Sequence, residues 1–540
     1  MKNLYKKLTL LFALMFLLTA CGGNKAENTG GNTSGTGTNS QESADSGEAK
    51  IIKYASQYPD MDSLDVHKYT TTDVILPARN ICEPLLQYDE NNELKPLLLE
   101  EMPTTEDGKI YNFKLAKGIK FHDGTELTSK DVEFTFNRIF NPETQNLNTW
   151  LVDMIKGAKD MLEGKADTLS GFTVIDDYNF TIELEMPYAP FLSVLSCEQN
   201  MIYPKDACEA AGDKWGIETF IGTGPFKLEE FVGKDYMHAL RYDDYHGEPA
   251  KVDELYIYNM DANTSAMEYE AGNLNMVQVE TKMVEPYKTD EFKDQLVRNE
   301  LMGIISLNLN VNMPPLDNQT VRQAISYAID KDAIIDNYLQ GNAVPAKSII
   351  PPGIMAYPED REANKYDPEK AKELLTQAGF PDGIDLETYV VEKDEAADIA
   401  VVLQEQLKAS NINLKINLVD QATYVDIRKS GEVQCPILTW YKDMPDPDNF
   451  TYTFFYSEGS QLFSSNWNDP ESDELMIQGR SLPEEERLPV YQKLEKILVE
   501  DKVATVPLYN PIFYYLKAPE LQGVEYFDSM IRFKNADIVK

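Results

Sequence analysis

Residues 394–441 read DEAADIAVVLQEQLKASNINLKINLVDQATYVDIRKSGEVQCPILTWY, and the alternation of periods along this run decides the fold class. Ile399, Val402, Leu403, Gln406 and Leu407 fall at helical spacing, with Gln406 the one polar interruption. Ile412, Leu414, Ile416 and Leu418 then alternate with polar residues, the period of a half-buried strand. Gln421 to Lys429 is helical again, and Gln434 to Tyr441 is a short apolar strand. Helix, strand, helix, strand in this compass predicts parallel βαβ units, hence an α/β fold. Outward from it, Asp367-Pro368 predicts an N-cap and first turn, and Gly379 the C-terminal stop of that helix. Thr128 with Asp131 opens a helix through Phe140. Ile51 to Tyr54 reads as a first strand, and Tyr111, Phe113 and Leu115 alternate as another. No repeat of fixed short period is visible.

The chain has 540 residues, 42% of them hydrophobic, enough for several domains or one large composite fold with a sizeable core. Ninety acids against fifty Lys and Arg give −40, which excludes nucleic acid or an anionic membrane surface as the main partner. The acid excess is read as solvated surface and names no function. Beyond Cys21, four cysteines remain (Cys82, Cys197, Cys208, Cys435). Without a Cys-x-x-Cys they support neither a zinc ribbon nor a thioredoxin-type site. A Cys197–Cys208 disulfide and four buried thiols are both open.

Lys2, Lys6 and Lys7 precede an apolar run from Leu8 to Ala20, too short to span a bilayer and suited to a signal peptide. Leu18-Thr19-Ala20-Cys21 resembles a bacterial lipobox, which implies cleavage before Cys21 and lipid attachment to its thiol. The alternative is an ordinary secretory signal with an accidental Cys. Residues 1–20 are thus read as leader and residues 21–49 as the lipidated Cys and a tether. The stretch from Gly22 to Ala49 has no aromatic or large aliphatic residue and cannot bury a core. Its coil reach is about 30 Å.

In an open α/β sheet, ligands bind beyond the carboxyl ends of strands. After Tyr441 comes Lys442-Asp443-Met444-Pro445-Asp446-Pro447-Asp448-Asn449-Phe450, a proline-stiffened acidic loop beside Trp440. Aromatics around a fixed carboxylate suit a cationic amine. Local sequence alone favours a surface turn in which Asp and Asn cap backbone groups. A calcium loop is a third reading, but Gly at position six and Glu at position twelve are missing.

Three motifs then carry a family resemblance over nearly the whole chain. They are Lys117-Gly118-Ile119-Lys120-Phe121-His122-Asp123-Gly124-Thr125 with Leu127 to Val132, Gly222-Thr223-Gly224-Pro225-Phe226, and Val321-Arg322-Gln323-Ala324-Ile325-Ser326-Tyr327-Ala328-Ile329-Asp330-Lys331. Their content and order resemble the family 5 solute-binding proteins of peptide ABC importers. The resemblance implies a large, class II, two-lobed periplasmic-binding-protein-like clamshell with an inserted subdomain. Lobe I would be residues 50–281, with the insert at about 82–221; lobe II would be 282–502, and 503–540 would return to lobe I. Crossovers near 277–280 and 503–509 would form the hinge. It further implies a non-enzymatic lipoprotein, lipid-anchored by Cys21 at the extracytoplasmic face of the cell membrane. That protein would be a monomer, would capture dipeptides or oligopeptides, and would deliver them to permease subunits with a separate ATPase. No cofactor and no metal are expected, and His122 is read as structural.

The loop gains a role from the same resemblance. Trp440, Asp443 and Asp446-Pro447-Asp448-Asn449-Phe450 match the spacing that, in dipeptide binders, carries the carboxylate for the peptide's α-ammonium. Asp443 becomes the expected anchor, while Asp446 and Asp448 remain turn formers. Thr439 to Tyr441 would pair with the peptide backbone, and Trp440 would wall a pocket. By looser analogy Thr71 and Thr72 would pair from lobe I, and Trp150 and Tyr509 would line the cleft or pack in the core. The position that would hold a carboxylate-capturing Arg is here about Ala397 and Asp398, which leaves longer peptides or another amine open.

Three competing readings differ in their residues. A nickel or haem binder would use histidine, yet His67, His122, His238 and His246 all precede lobe II. An oligosaccharide binder would need no ammonium anchor. A surface hydrolase would need a catalytic motif, and no Gly-x-Ser-x-Gly, His-Glu-x-x-His or Walker A is present; only a hidden glycosidase carboxylate pair would escape that test.

Overall fold

The structure is a computed structural model and describes residues 49–56, 61–69, 71–89, 92–146, 148–363, 365–392, 394–527 and 530–539. The expected leader, Cys21 and nearly all of the tether lie outside these residues. Ala49–Lys540 forms one compact unit.

Its spine is a ten-stranded mixed sheet. Across the sheet the order runs Ile437–Tyr441, Gly303–Asn308, Thr505–Lys517, Met276–Val279, Ile51–Ser56, Glu254–Asn259, Tyr236–Arg241 and Phe226–Val232. Leu296–Glu300 and Ala343–Pro345 also pair with the 13-residue strand Thr505–Lys517. That strand joins two structural halves. Its start pairs with Gly303–Asn308 (Val506 with Leu307), and its end with Met276–Val279 (Tyr514 with Val279).

Four large apolar cores flank this spine. One spans Leu85 to Ile202, around the four-stranded antiparallel sheet that contains Ile110–Lys114 and Asn179–Glu183. A second joins Ile52 to Met276 with Tyr515 to Ala536. The remaining two lie between Ile304 and Tyr509. The result is the two-lobed clamshell, with an extra subdomain built around the first core.

Local signals act as elementary chemistry requires. Helix Ser129–Phe140 is opened by a Thr128/Asp131 capping box, and helix Pro368–Gln377 by Asp367, whose carboxylate accepts from Lys370 N at 2.9 Å. Gly379 follows the latter helix at φ +94°, a conformation that glycine adopts without strain.

The strand pairing departs from expectation at one place. Ile384–Val391, helix Glu395–Lys408 and Ile412–Val419 form a true parallel βαβ unit. The next strand does not extend it: Ile437–Tyr441 runs antiparallel to Gly303–Leu307 in the large sheet. The intervening helix Gln421–Lys429 has no fully buried residue, so it holds the following strand to the βαβ unit only weakly. The segment before the strand is held by side chains instead, with Gln434 accepting from Glu387 N at 2.7 Å and Thr388 donating to Cys435 O at 2.7 Å.

The three family motifs turn out to be joints. His122 N donates to Gly222 O at 3.0 Å, Gly222 N donates to His122 Nδ1 at 3.3 Å, and His122 Nε2 contacts Gly224 O at 2.9 Å. A Cβ on Gly222 would stand 2.2 Å from Ile81 O, so this close approach needs glycine. Arg322 clamps the entry to the long strand through Lys502 O (2.8 Å) and Val503 O (3.0 Å). Val503 is a β-branched residue at φ +50°, a conformation costing about 1–3 kcal/mol that this clamp helps to hold. All four cysteines beyond Cys21 are free and buried.

Candidate functional site

Ile437–Tyr441 is the terminal strand of the large sheet, so among the described residues only one of its edges is paired with a neighbouring strand. Lys442 N donates to Met302 O at 3.0 Å and Asn308 N to Pro436 O at 2.9 Å, which puts even-numbered residues on the paired edge. By antiparallel alternation, Thr439 and Tyr441 turn their backbone groups to the outer edge. Thr439 is exposed. The outer edge of a terminal strand is a template for an extended chain.

Asp443 follows directly. Asn449 orients it twice: Asn449 Oδ1 accepts from Asp443 N at 2.9 Å, and Asn449 Nδ2 donates to Asp443 Oδ2 at 3.1 Å. The other carboxylate oxygen accepts from Gln199 Nε2 at 3.0 Å. Among the described residues no cationic side chain forms an ion pair with it. Burial, against these amide bonds, pushes its carboxyl up to about 6. A half-buried carboxylate held only by neutral amides favours a cationic partner.

The neighbouring acids are occupied. Asp446 makes a bidentate pair with Arg487 at 2.7 Å on both oxygens. Asp448 accepts from Tyr188 OH at 2.8 Å, with Arg480 Nε at 3.4 Å. Arg480 in turn lies 3.6 Å over the Tyr452 ring and 4.5 Å over that of Tyr188. These two acids are interior ion-pair partners, and Asp446 also keeps its expected turn-forming role, its Oδ1 accepting from Asp448 N at 2.9 Å.

Trp440 and Trp150 are brought together, their ring centroids 6.2 Å apart at 47°. Trp440 Nε1 donates to Asn449 Oδ1 at 3.3 Å, tying the indole to the side chain that orients Asp443. Tyr441 packs edge-on to Phe513. Tyr509 takes the core alternative: it is 1% exposed, and its hydroxyl donates to Glu395 at 3.0 Å. Thr71 is the extended N-cap and Thr72 the first residue of helix Thr72–Ala78, so neither lies in a strand. Where the resemblance would place a carboxylate-binding Arg, Glu395 and Asp398 accept instead from Tyr509 and Tyr338, the latter at 2.9 Å.

Four residues of this arrangement had no forecast role: Gln199, Asn449, Tyr188 and Arg480. Asn449 is six residues from Asp443 and could have been found as an Asx partner. Gln199 lies 244 residues away and carries no local signal. Met444, next to the anchor, is 1% exposed and inserts into the core around residues 85–202. Cys197 Sγ donates to Asp443 O at 3.4 Å.

The histidines lie elsewhere: His238 contacts Glu254 at 3.0 Å and His246 contacts Glu83 at 2.8 Å. Among the described residues no group of three His, Cys, Asp or Glu is placed to hold a metal, and no helix is long and apolar enough to cross a membrane.

Comparison with known proteins agrees with the geometry. Residues 93–461 match the family described as bacterial extracellular solute-binding proteins, family 5. The dipeptide-binding protein of Escherichia coli is 31% identical, covering 78% of this chain and 82% of that one. The heme-binding protein A of Haemophilus influenzae is 27% identical, covering 83% and 84%. Among solved structures, DppA of Helicobacter pylori in complex with the peptide STSA superposes with a TM-score of 0.78 at 25% identity, over 91% of this chain and 98% of that chain. Haemophilus influenzae OppA with a bound peptide gives 0.78 at 23% identity, over 92% and 100%. The chain belongs to family 5 of the bacterial extracellular solute-binding proteins.

Proposed function

We propose that this protein is the peptide-binding component of an ABC importer, without enzymatic activity of its own. In this reading a peptide lies along the outer edge of Ile437–Tyr441, its backbone paired with Thr439 and Tyr441, its α-ammonium on Asp443. Trp440 and Trp150 wall the adjoining side-chain space. Thr71 and Thr72 face the ligand from the N-terminal lobe, and Tyr509 supports the floor through Glu395. The observation that carries the reading is Asp443 itself, a dehydrated carboxylate at the end of an edge strand, fixed by Gln199 and Asn449 and lacking a cationic partner among the described residues. A charge-assisted bond there contributes about 1.5–3 kcal/mol.

Lobe I comprises residues 50–281 and 503–540, with the insert at about 82–221, and lobe II residues 282–502. The segments 277–280 and 503–509 are the hinge. Closure follows from tighter binding in the closed state. The chain acts as a monomer, tethered outside the cell membrane by a lipid on Cys21, and hands its peptide to permease subunits whose ATPase is separate. With no Arg at 397–398, the peptide carboxylate is not clamped, and lengths beyond two residues are accepted.

Calorimetry with a ladder of peptides of two to six residues, each free and N-acetylated, tests this. Binding of the free forms and loss on acetylation is expected. Equal binding of both would overturn the anchor, and binding of haem, nickel or cello-oligosaccharide in place of any peptide would overturn the peptide reading.

A further inference from the structure

A second cavity, of about 200 Å³, opens between helices Gln319–Tyr327 and Pro368–Gln377, the 347–365 segment and the start of strand Thr505–Lys517. None of its lining residues belongs to the peptide site. In a chain with nearly two acids per base, this cavity collects Lys331, Lys347, Arg361, Lys365 and Lys370, against Glu362 and Glu500. The cations come from separate segments and converge on one space.

Lys331 is its most enclosed cation. It closes the third family motif, is 7% exposed, and donates to Ala346 O at 2.8 Å. Burial pulls its ammonium down to about 7, and Lys365 and Arg361 pull the same way because they stand near enough to repel it. The acids nearby are shared out. Arg361 Nη2 meets Glu495 Oε2 at 2.6 Å, Lys365 meets Glu500 at 2.5 Å, and Lys370 meets Glu373 at 2.8 Å. Lys347 donates one hydrogen to Glu359 O and approaches the Tyr357 ring at 5.9 Å, which leaves its other two N–H groups for a ligand. Of the lining residues themselves five are cations and two, Glu362 and Glu500, are acids, around a volume many times that of one water.

We propose that this cavity binds a small phosphate-type oxyanion. A single carboxylate would satisfy one or two donors, whereas a multivalent oxyanion answers Lys331, Lys347 and Lys365 together, each acting as a point charge. Bound there, it would relieve the mutual repulsion of Lys331, Lys365 and Arg361.

The full chain is titrated by calorimetry with inorganic phosphate and, separately, with glycerol 3-phosphate, in chloride buffer. The variants are Lys347→Gln, Lys365→Gln and their double, chosen because both side chains reach solvent, with Lys331→Met as a probe of the floor. Melting curves and peptide titrations establish that each variant is folded. Saturable binding is expected in the parent, about tenfold weaker in each single variant, with peptide affinity unchanged. Tighter glycerol 3-phosphate would assign the anion to an ester headgroup and tighter phosphate to the free ion; both support the site. Absence of saturation in the parent, or equal affinity in the folded double variant, would overturn it.

Discussion

Gln199 Nε2 lies 3.0 Å from Asp443 Oδ1, and this bond ties the loop after the terminal strand to the part of the molecule whose core Met444 also enters. Gln199 sits beside the core around residues 85–202, whereas Asp443 follows the terminal strand of the large sheet. It adds to two other links between the same segments, Met444 in that core and the Tyr188 hydroxyl on Asp448 at 2.8 Å. Gln199→Leu, of similar size but without the amide, should weaken free-amine peptides by about 1–2 kcal/mol and enlarge the molecule in solution. Calorimetry with small-angle scattering checks both, and a variant with unaltered affinity and radius would rule out this link.

Asp443→Asn should remove most binding of free-amine peptides, by about 2–4 kcal/mol, because a buried ammonium loses its counter-charge. Its melting temperature should hold or rise, since Asp443 ionises against burial in the empty protein. The two measurements together separate a binding role from a folding role. A large loss of stability would mark the residue as structural.

Affinity for a free-amine peptide should also fall with acidity. The empty site's carboxyl sits at about 6, and a bound ammonium favours its ionised form, so peptide competes with a proton below that pH. Between pH 7 and pH 5 the association constant should drop about tenfold. In the empty protein the linkage has the opposite sense: a raised carboxyl contributes stability below pH 3.8 that is lost as pH rises through about 6. Asp443→Asn should flatten the binding profile, and titration from pH 5 to pH 8 in both proteins tests it.

Breaking the pair beneath the loop should act on stability. Arg487 is wholly buried and holds both oxygens of Asp446. Asp446→Ala leaves that buried guanidinium with Glu484, at 2.9 Å, as its one acidic partner among the described residues and should cost about 3 kcal/mol in thermal or denaturant unfolding. Asp446 was legible in the sequence only as a turn former, because Arg487, its partner, lies on a helix 41 residues further along.

That contrast shows what one sequence can and cannot yield. Caps, periods and turns are local, so Thr128, Asp367 and the run 395–419 could be read with near-correct bounds. The strand Ile437–Tyr441 could be found but not paired, because its partner Gly303–Asn308 lies more than a hundred residues earlier. Within the site, Asp443 came from motif spacing. Its partner Gln199 and the Tyr188–Asp448 bond join positions far apart in the chain, with nothing in the intervening sequence to mark them. The family motifs identify the fold well and the ligand poorly for a physical reason: His122, Gly222, Gly224 and Arg322 serve as joints, remote from the strand edge where a peptide would lie.

The joint at His122 supplies a last test. Its Nδ1 accepts from Gly222 N, so its proton resides on Nε2 and is donated to Gly224 O. Protonating Nδ1 would set donor against donor inside a buried contact. Burial accordingly lowers this imidazole to about 4, the ring being only 5% exposed. In the unfolded chain it titrates near 6.5, so the unfolded state takes the proton first and stability falls as pH drops from 6.5 toward 4. The contribution lost is about 3 kcal/mol. Denaturant unfolding at pH 7.5, 5.5 and 4.5 should show this slope in the parent. His122→Gln, whose neutral amide can both accept and donate, should be less stable at pH 7.5 yet lose less on acidification. Parallel slopes in the two proteins would assign the acid sensitivity to other groups.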